Sequence, residues 1–434
     1  MKKKIALLVG VLLCILTFLL YKNEVDKHIT LTFGIYAGSN WDVPTGNGTQ
    51  IYEEAIIRFE KKYPNVKVEF TSGIQKKDYS QWLSKEMIKG TTPDVFMVQG
   101  SDLALFAGAN ALYNLHQFME EDTSFKIDEY YTPSLKAGQY NDIQYALPFE
   151  SVPTLMFVNK TLLQAEGIEL PKNDWTWDDF YQICEKVTKD HDGDGKIDQF
   201  GVYGYDWKTA VFSNGATLFR EDGTSAHIND ANVVEAVTFT KKLNKLNQNA
   251  TVTSQDFDEG KVVFCPMQYS QYRAYMPYPW NIKKYSNFEW DCIALPSGPS
   301  GDNISEINTL SMGISAKTKN KKYAWEFLKM LTYDETTQKS IFTYSQGVST
   351  LKKVNESEDI IKTMLKDTPG DSSFEMRIVS DVMEKGQVQI RFNAYEDVMS
   401  MIDNEVYRII NDSAGDNVTE LNALQHKVDV YLKE

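Results

Sequence analysis

The sequence predicts an α/β fold in which mostly parallel sheets are flanked by helices. Three observations predict it. Strand-like and helix-like segments alternate from Ile29 to Val98, an order that produces parallel strands joined by helical crossovers. A length of 434 residues exceeds one ordinary domain, so two lobes are the default. A hydrophobic fraction of 42% with only 13 Pro and 25 Gly is a globular composition, able to supply buried cores along nearly the whole chain.

Each element follows from its residues. Ile29, Leu31 and Phe33 alternate with Thr30 and Thr32, the period of a half-buried strand, and a polar loop with Gly38, Trp41 and Gly46 follows. Thr49 opens a helix whose Ile51, Ala55, Ile56 and Phe59 share a face, and Pro64 stops it. Val66, Val68 and Phe70 form the next strand. Tyr79, Trp82, Leu83 and Met87 recur at helical spacing until Gly90-Thr91-Thr92-Pro93, and Asp94–Val98 reads as a buried strand. In such sheets small ligands sit beyond the carboxyl ends of strands, which points to the loops Ala37–Asp42 and Gln99–Asp102. Further on the pattern returns: a strand over Thr154–Asn159, a helix over Trp177–Val187, a strand over Gly201–Tyr205, a helix over Ala231–Leu246 and a strand over Val262–Met267. A loop dense in aromatics, Tyr269 to Trp280, comes next. Tyr395, Val398, Ile402, Val406 and Ile409 then mark a long amphipathic helix.

A net charge of −15 argues against nucleic acid, which is held by an excess of lysine and arginine. The first residues predict export. Met1-Lys2-Lys3-Lys4 precedes an apolar run that ends at Tyr21-Lys22-Asn23-Glu24, the pattern of a signal segment. Val11-Leu12-Leu13-Cys14 resembles a lipoprotein box, but Leu13 stands where that box has a small residue, and the chain stays apolar after Cys14. The run Ile5–Tyr21 lies at the short edge of the ~17–25 residues that span a bilayer, so residues 1–28 are expected to be an uncleaved anchor in preference to a lipidated Cys14. Cys184, Cys265 and Cys292 have no CxxC spacing and are read as buried thiols, with a Cys265–Cys292 bridge as the alternative.

Several segments, in order, carry a family resemblance. They are Gly90-Thr91-Thr92-Pro93-Asp94-Val95, Leu112-Tyr113-Asn114-Leu115, Tyr145-Ala146-Leu147-Pro148 with Phe157-Val158-Asn159-Lys160, and Trp175-Thr176-Trp177-Asp178-Asp179-Phe180. Phe257 to Lys261, Ala294-Leu295-Pro296 and Ala324-Trp325-Glu326-Phe327-Leu328 complete the order. Through nearly the whole mature chain the sequence resembles extracellular solute-binding proteins of family 1, the maltose-binding-protein-like receptors of ABC importers. It departs from them at Met156-Phe157, where the family usually has a tyrosine before the Asn-Lys pair, and in the weak lipoprotein box. The resemblance implies a two-lobed, periplasmic-binding-protein-like (type II) fold that closes by a hinge, with crossings near Pro148–Pro153, Ala294–Ser297 and Tyr344–Ser349. The N-terminal lobe would hold 29–149 plus 295–345, and the C-terminal lobe 150–294 plus 346–434.

A sugar offers apolar faces to aromatic rings and hydroxyls to carboxylates and amides. On that chemistry the expected ligand-binding residues are Trp41, Asp42, Asp102, Glu150, Trp207, Asn214, Gln268, Tyr269 and Trp280, all assigned to loops, strand ends or crossings. Arg273 and Arg391 could donate to sugar hydroxyls or to an acidic sugar, but the preferred reading of both is a surface ion pair. A second constellation, Asp190-x-Asp192-x-Asp194-Gly195-Lys196-Ile197-Asp198, matches positions one, three, five, seven and nine of a calcium loop, with glycine at six. Gly201 stands where such a loop has its bidentate glutamate, so a structural Ca²⁺ would need a ligand from elsewhere. No GxSxG, HExxH, GxGxxG or P-loop spacing is present, and a non-enzyme is expected. The expected protein is a membrane-tethered monomer outside the cytoplasmic membrane that captures a carbohydrate, of oligosaccharide size, for an ABC permease. Two alternatives are a sugar sensor partnering a membrane kinase and, further off, a glycoside hydrolase needing only two carboxylates.

Overall fold

A computed structural model of the chain describes residues 28–43, 48–220, 223–248, 250–275, 288–367, 375–389, 392, 394–412 and 415–433. At its start β1 (Ile29–Gly34) pairs in parallel with β2 (Val66–Thr71) along its whole length and with β3 (Val95–Val98) at Phe33 and Gly34. The helices Gln50–Lys62 and Lys76–Lys89 are the crossovers. The first buries Ile51, Tyr52, Ala55, Ile56 and Phe59 on one stripe, the face that their spacing predicted. The second stops at Gly90, which turns left-handed at φ 76°, where a side chain would be strained.

A short ribbon, β4 (Gln139–Tyr140) with β5 (Ile143–Gln144), leads into β6 (Ala146–Asn159), the spine of the molecule. The sequence suggested a strand only from Thr154. Instead the strand begins at Ala146, and all but Thr154 of it is buried, as expected for a strand covered on both faces. Its first half pairs antiparallel with β10 (Ile307–Ile314) and β11 (Val348–Ser349), its second half with β8 (Val262–Gln268) and β9 (Trp290–Ile293). The switch falls at Pro153, opposite Ile307, and Thr154, opposite Gln268. With β10 also on β3, and β7 (Phe200–Val202) parallel to β8, the order is β2-β1-β3-β10-β6-β8-β7.

Two buried clusters form around this sheet, and β6 serves both by alternation. Leu155 and Phe157 enter one cluster, Met156 and Val158 the other. The second cluster is roofed by the helices Trp177–Val187, Ala231–Asn244, Tyr395–Asn411 and Asn417–Tyr431. Trp177–Val187 starts with a reciprocal cap between Thr176 and Asp179, and Trp177 stacks on Phe239 with centroids 4.3 Å apart. The result is a two-lobed α/β fold on a shared strand. Val348, Leu351, Val354, Val379 and Met383 are buried in the first cluster, which also takes in Phe200, Val262 and Trp290 from the other half of the sheet.

The three described cysteines are buried free thiols, as the sequence reading preferred. Cys265 of β8 and Cys292 of β9 both face Phe157, one on each side of β6. Two strand spacings of ~4.8 Å separate their backbones, beyond the reach of a disulfide, so the alternative bridge does not form. No helix among the described residues is long and apolar enough to cross a membrane, and the expected anchor at 1–28 falls almost entirely outside them.

Candidate functional site

At the carboxyl ends of β1 and β3 both expected loops bond to the helix Lys76–Lys89, the second of them through Gln99 Nε2, which donates to the Lys76 carbonyl at 3.0 Å. Asp42 sits in the left-handed region at φ 57° and accepts from Lys76 Nζ at 2.8 Å, which also donates to the Asn40 carbonyl at 2.8 Å. Trp41 is half-buried beside them. Asp102, in the first turn of the helix Gly100–Gly108, accepts from Ser80 Oγ at 2.6 Å, and burial raises its pKa. Glu150, midway along β6, is completely buried. Its Oε2 accepts from Asn40 Nδ2 at 2.7 Å and its Oε1 from Ser345 Oγ at 2.5 Å and the Gly347 amide at 2.7 Å. Burial pushes its pKa up, while donors on Ser345, Trp41, Asn40 and Gly347 oppose the rise.

Next to this cluster lies a cavity of about 850 Å³. One wall begins at Gly100 and Leu103, on the helix that carries Asp102, and continues through Thr132, Lys136 and the β4–β5 ribbon. The lining is completed by Thr217 and Arg220 and by the segment Glu384–Gln389, which continues the helix packed on Thr132–Lys136. The ribbon is shaped by its turn: Asn141 and Asp142 stand at φ 50° and 60°, the geometry that matches strand twist and that Asn and Asp tolerate best. It is also wired from below. Buried Gln144 donates to the carbonyls of Leu135 at 3.0 Å and Ala146 at 2.6 Å and accepts from Gln139 Nε2 at 3.0 Å. Gly138 allows this approach, because a Cβ there would lie 2.8 Å from both the Ala146 carbonyl carbon and Gln144 Nε2. The lining offers a phenol ring on Tyr140, amides on Gln139, Asn141, Gln387 and Gln389, carboxylates on Asp142 and Glu384, and cations on Lys136, Arg220 and Lys385. Glu384 is paired with Lys352 at 3.0 Å, Lys385 with Asp302 at 2.8 Å, and Gln389 accepts from the Tyr395 hydroxyl. The charged lining thus has two carboxylates and three cations, and planar hydrogen-bonding groups accompany one aromatic ring.

Among the described residues, none of the expected ligand contacts lines this cavity, Trp41, Asp42, Asp102 and Glu150 included. Trp207 was assigned to a loop; it begins the helix Trp207–Ser213, is fully buried in the second cluster and donates Nε1–H to Asp403 Oδ1 at 3.0 Å. Asn214 caps that helix and is spent on structure: Nδ2 donates to the Asn232 carbonyl and Glu235 Oε2, both at 2.9 Å, and Oδ1 accepts from the Ser300 amide at 3.0 Å. Gln268 ends β8 in register with Thr154. Tyr269 lies in a helix, Tyr269–Tyr275, where a loop was expected; it is fully buried and parallel to Tyr272 with centroids 5.7 Å apart. Arg273, read as a surface residue, donates to the carbonyls of Gly347 and Phe342. Trp280 and Arg391 lie outside the described residues. Sequence reasoning missed Tyr140, Arg220 and Gln389. Only the Asn-Asp pair between Tyr140 and Ile143, a hairpin-turn signature, could have flagged one of them.

In the acidic loop, carboxylate oxygens of Asp190, Asp192 and Asp194 lie within 4.8 Å of one another. The Asp190 carboxylate gathers the amides of Gly193 and Gly195 at 2.7 Å each and of Asp194 at 3.2 Å, and Asp198 accepts from the His191 amide at 2.7 Å. Those amides hold the Asp190 pKa below the ordinary carboxylate range. Gly193 and Gly195 supply the left-handed turns, at φ 82° and 88°.

Two lobes sharing one long strand, with a polar cavity walled from distant parts of the chain, define a binding protein of the hinged, two-lobed class. The chain belongs to the bacterial extracellular solute-binding protein family, which it matches over residues 44–338. It is 23% identical over 311 residues to the multiple sugar-binding protein of Streptococcus mutans, covering 66% of this chain and 69% of that one. It is 24% identical over 327 residues to a binding protein of Brucella abortus, covering 71% of this chain and 74% of the relative. Its fold superposes with a TM-score of 0.76 on the cyclic α-maltosyl-1,6-maltose binding protein of Arthrobacter globiformis, at 14% identity over 93% of this chain and 99% of the other. The sugar-binding protein MalE of Xanthomonas citri gives 0.75 at 15% identity, over 93% and 97%.

Proposed function

We propose that the protein captures a neutral carbohydrate of oligosaccharide size between its lobes and hands it to an ABC permease at the outer face of the cytoplasmic membrane. The observation that carries this reading is the cavity of about 850 Å³, lined by the β4–β5 ribbon, by Thr217 and Arg220, and by Glu384–Gln389. Its size falls within the ~300–1,000 Å³ of small-ligand sites. Amides together with charged groups of both signs suit hydroxyls, which donate and accept at once. Relatives named for sugars support the ligand class, and the importer role follows the family. Ligand that bridges both lobes favours the closed form, because only differential affinity shifts such an equilibrium. Binding without turnover is proposed, and so are the N-terminal tether and a monomeric state. A thermal-shift panel of mono- and oligosaccharides tests this, with product analysis after incubation. Stabilisation by an oligosaccharide that is recovered intact is expected. Stabilisation only by an amine, metal or phosphate ester would refute the ligand class, and cleaved sugar would revive the hydrolase alternative.

The same reading includes a structural Ca²⁺ in the loop 190–198, held by Asp190, Asp192, Asp194, the Lys196 carbonyl and Asp198. Hard oxygen ligands at this spacing suit that ion, and Gly201 in place of the twelfth-position glutamate predicts a weak site, of the millimolar class found outside cells. Adding 2 to ~5 mM Ca²⁺ is expected to raise the melting temperature and EDTA to reverse the gain, with Asp192→Asn abolishing the response. Equal melting curves with Ca²⁺ and with EDTA would remove the ion from the account.

A further inference from the structure

One residue of the segment leading into β11 is gripped from two sides. Arg273 belongs to the helix that follows β8, on the second half of the sheet. Its Nη1 donates to the Gly347 carbonyl at 2.7 Å, its Nη2 to the Phe342 carbonyl at 2.6 Å, and its guanidinium lies 5.4 Å from the Phe342 ring centroid. From the other side the Gly347 amide donates to Glu150 Oε1 at 2.7 Å. The second Glu150 oxygen takes Asn40 Nδ2 at 2.7 Å, and Asn40 sits in the loop that also carries Trp41 and Asp42.

We propose that Arg273, Gly347 and Glu150 form a relay that couples the position of the helix Tyr269–Tyr275 to the order of the loop Ser39–Asp42. This rests on the reading of the molecule as one that closes around a ligand; none of the three residues lines the cavity described above, and all three act as positioning residues. The coupling follows from burial. A fully buried carboxylate that loses a donor has no water to replace it, so Asn40, Ser345 and Gly347 must hold or release Glu150 together. The approach requires glycine, since a Cβ on Gly347 would lie 2.6 Å from Glu150 Cγ. At the far end of the relay Asp42 holds a left-handed backbone conformation two residues from Asn40, so loosening Asn40 frees the loop to leave it. A swing of the second lobe that shifts Arg273 therefore pulls on Gly347, then Glu150, then the loop.

Hydrogen exchange on the unliganded full chain tests the relay without a sugar, so failure of the ligand panel and failure of the relay are separate results. The Trp41 and Val43 amides, which donate to Ser39 Oγ at 3.2 and 3.3 Å, report on the loop. In Arg273→Ala, peptides covering 37–43 are expected to exchange ~10-fold faster, a typical coupling between linked sites, while the helix Trp177–Val187 keeps the wild-type rate. Arg273→Lys is expected to fall between, since one ammonium cannot reach both carbonyls as the planar fork does. Gly347→Ala is expected to match Arg273→Ala; if that variant does not fold, the two arginine variants decide. Acceleration confined to 269–275 and 342–349 would overturn the relay. So would a uniform rise that includes Trp177–Val187, which would mark plain loss of stability.

Discussion

Trp207→Ala is expected to lower the unfolding free energy by about 3–5 kcal/mol, the cost of emptying a large, fully enclosed side-chain site. The indole is completely buried and its N–H is used by Asp403, which Lys208 also holds at 3.1 Å. After truncation Asp403 keeps that lysine, so the loss is a cavity and one hydrogen bond, not a stranded charge. Sugar affinity measured well below the melting range should stay within about twofold of wild type, since the ring packs in the second core and lines no wall of the cavity. Urea unfolding together with calorimetric titration separates the two effects. A tenfold loss of affinity at unchanged stability would put Trp207 back among the ligand contacts.

Tyr140→Ala is expected to act the other way round. The ring stands at the end of β4, beside a turn whose geometry is set by Asn141 and Asp142 and not by the phenol, so the fold should survive. Removing an aromatic face from a sugar site costs about 1.5 kcal/mol, roughly a tenfold weaker affinity. Tyr140→Phe keeps the face and should keep most of the affinity. If Ala and Phe weaken binding equally, the hydroxyl and not the face makes the contact; if neither weakens it, the sugar lies elsewhere.

Much of the fold was legible because local and tertiary demands agree. The helix Trp177–Val187 shows both its cap and its buried stripe in the sequence, and it forms over the expected residues. β6 extends N-terminal to the expected strand Thr154–Asn159, through Pro148 and Pro153. Both are tolerated, Pro148 next to a register shift at Leu310/Ser311 and Pro153 where the strand changes partners. The site was less legible. Trp207 and Tyr269 were taken for loop aromatics, yet Trp207 with Ala210 and Val211, and Tyr269 with Tyr272, already carry the helical spacing that buries them. The cavity walls come from 100–103, 132–142, 217–220 and 384–389, short polar stretches remote in sequence that no periodicity connects. Glu150, expected among the ligand contacts, lines no part of the cavity and takes an amide, a hydroxyl and a backbone N–H as its partners.

The central claim is closure of two lobes on a sugar. Pulsed electron–electron spectroscopy between labels at Lys61→Cys and Lys186→Cys, both exposed positions on opposite halves of the sheet, reads it directly. A stabilising oligosaccharide should move the distance distribution to a shorter, narrower peak. An unchanged distribution under saturating sugar would contradict the account.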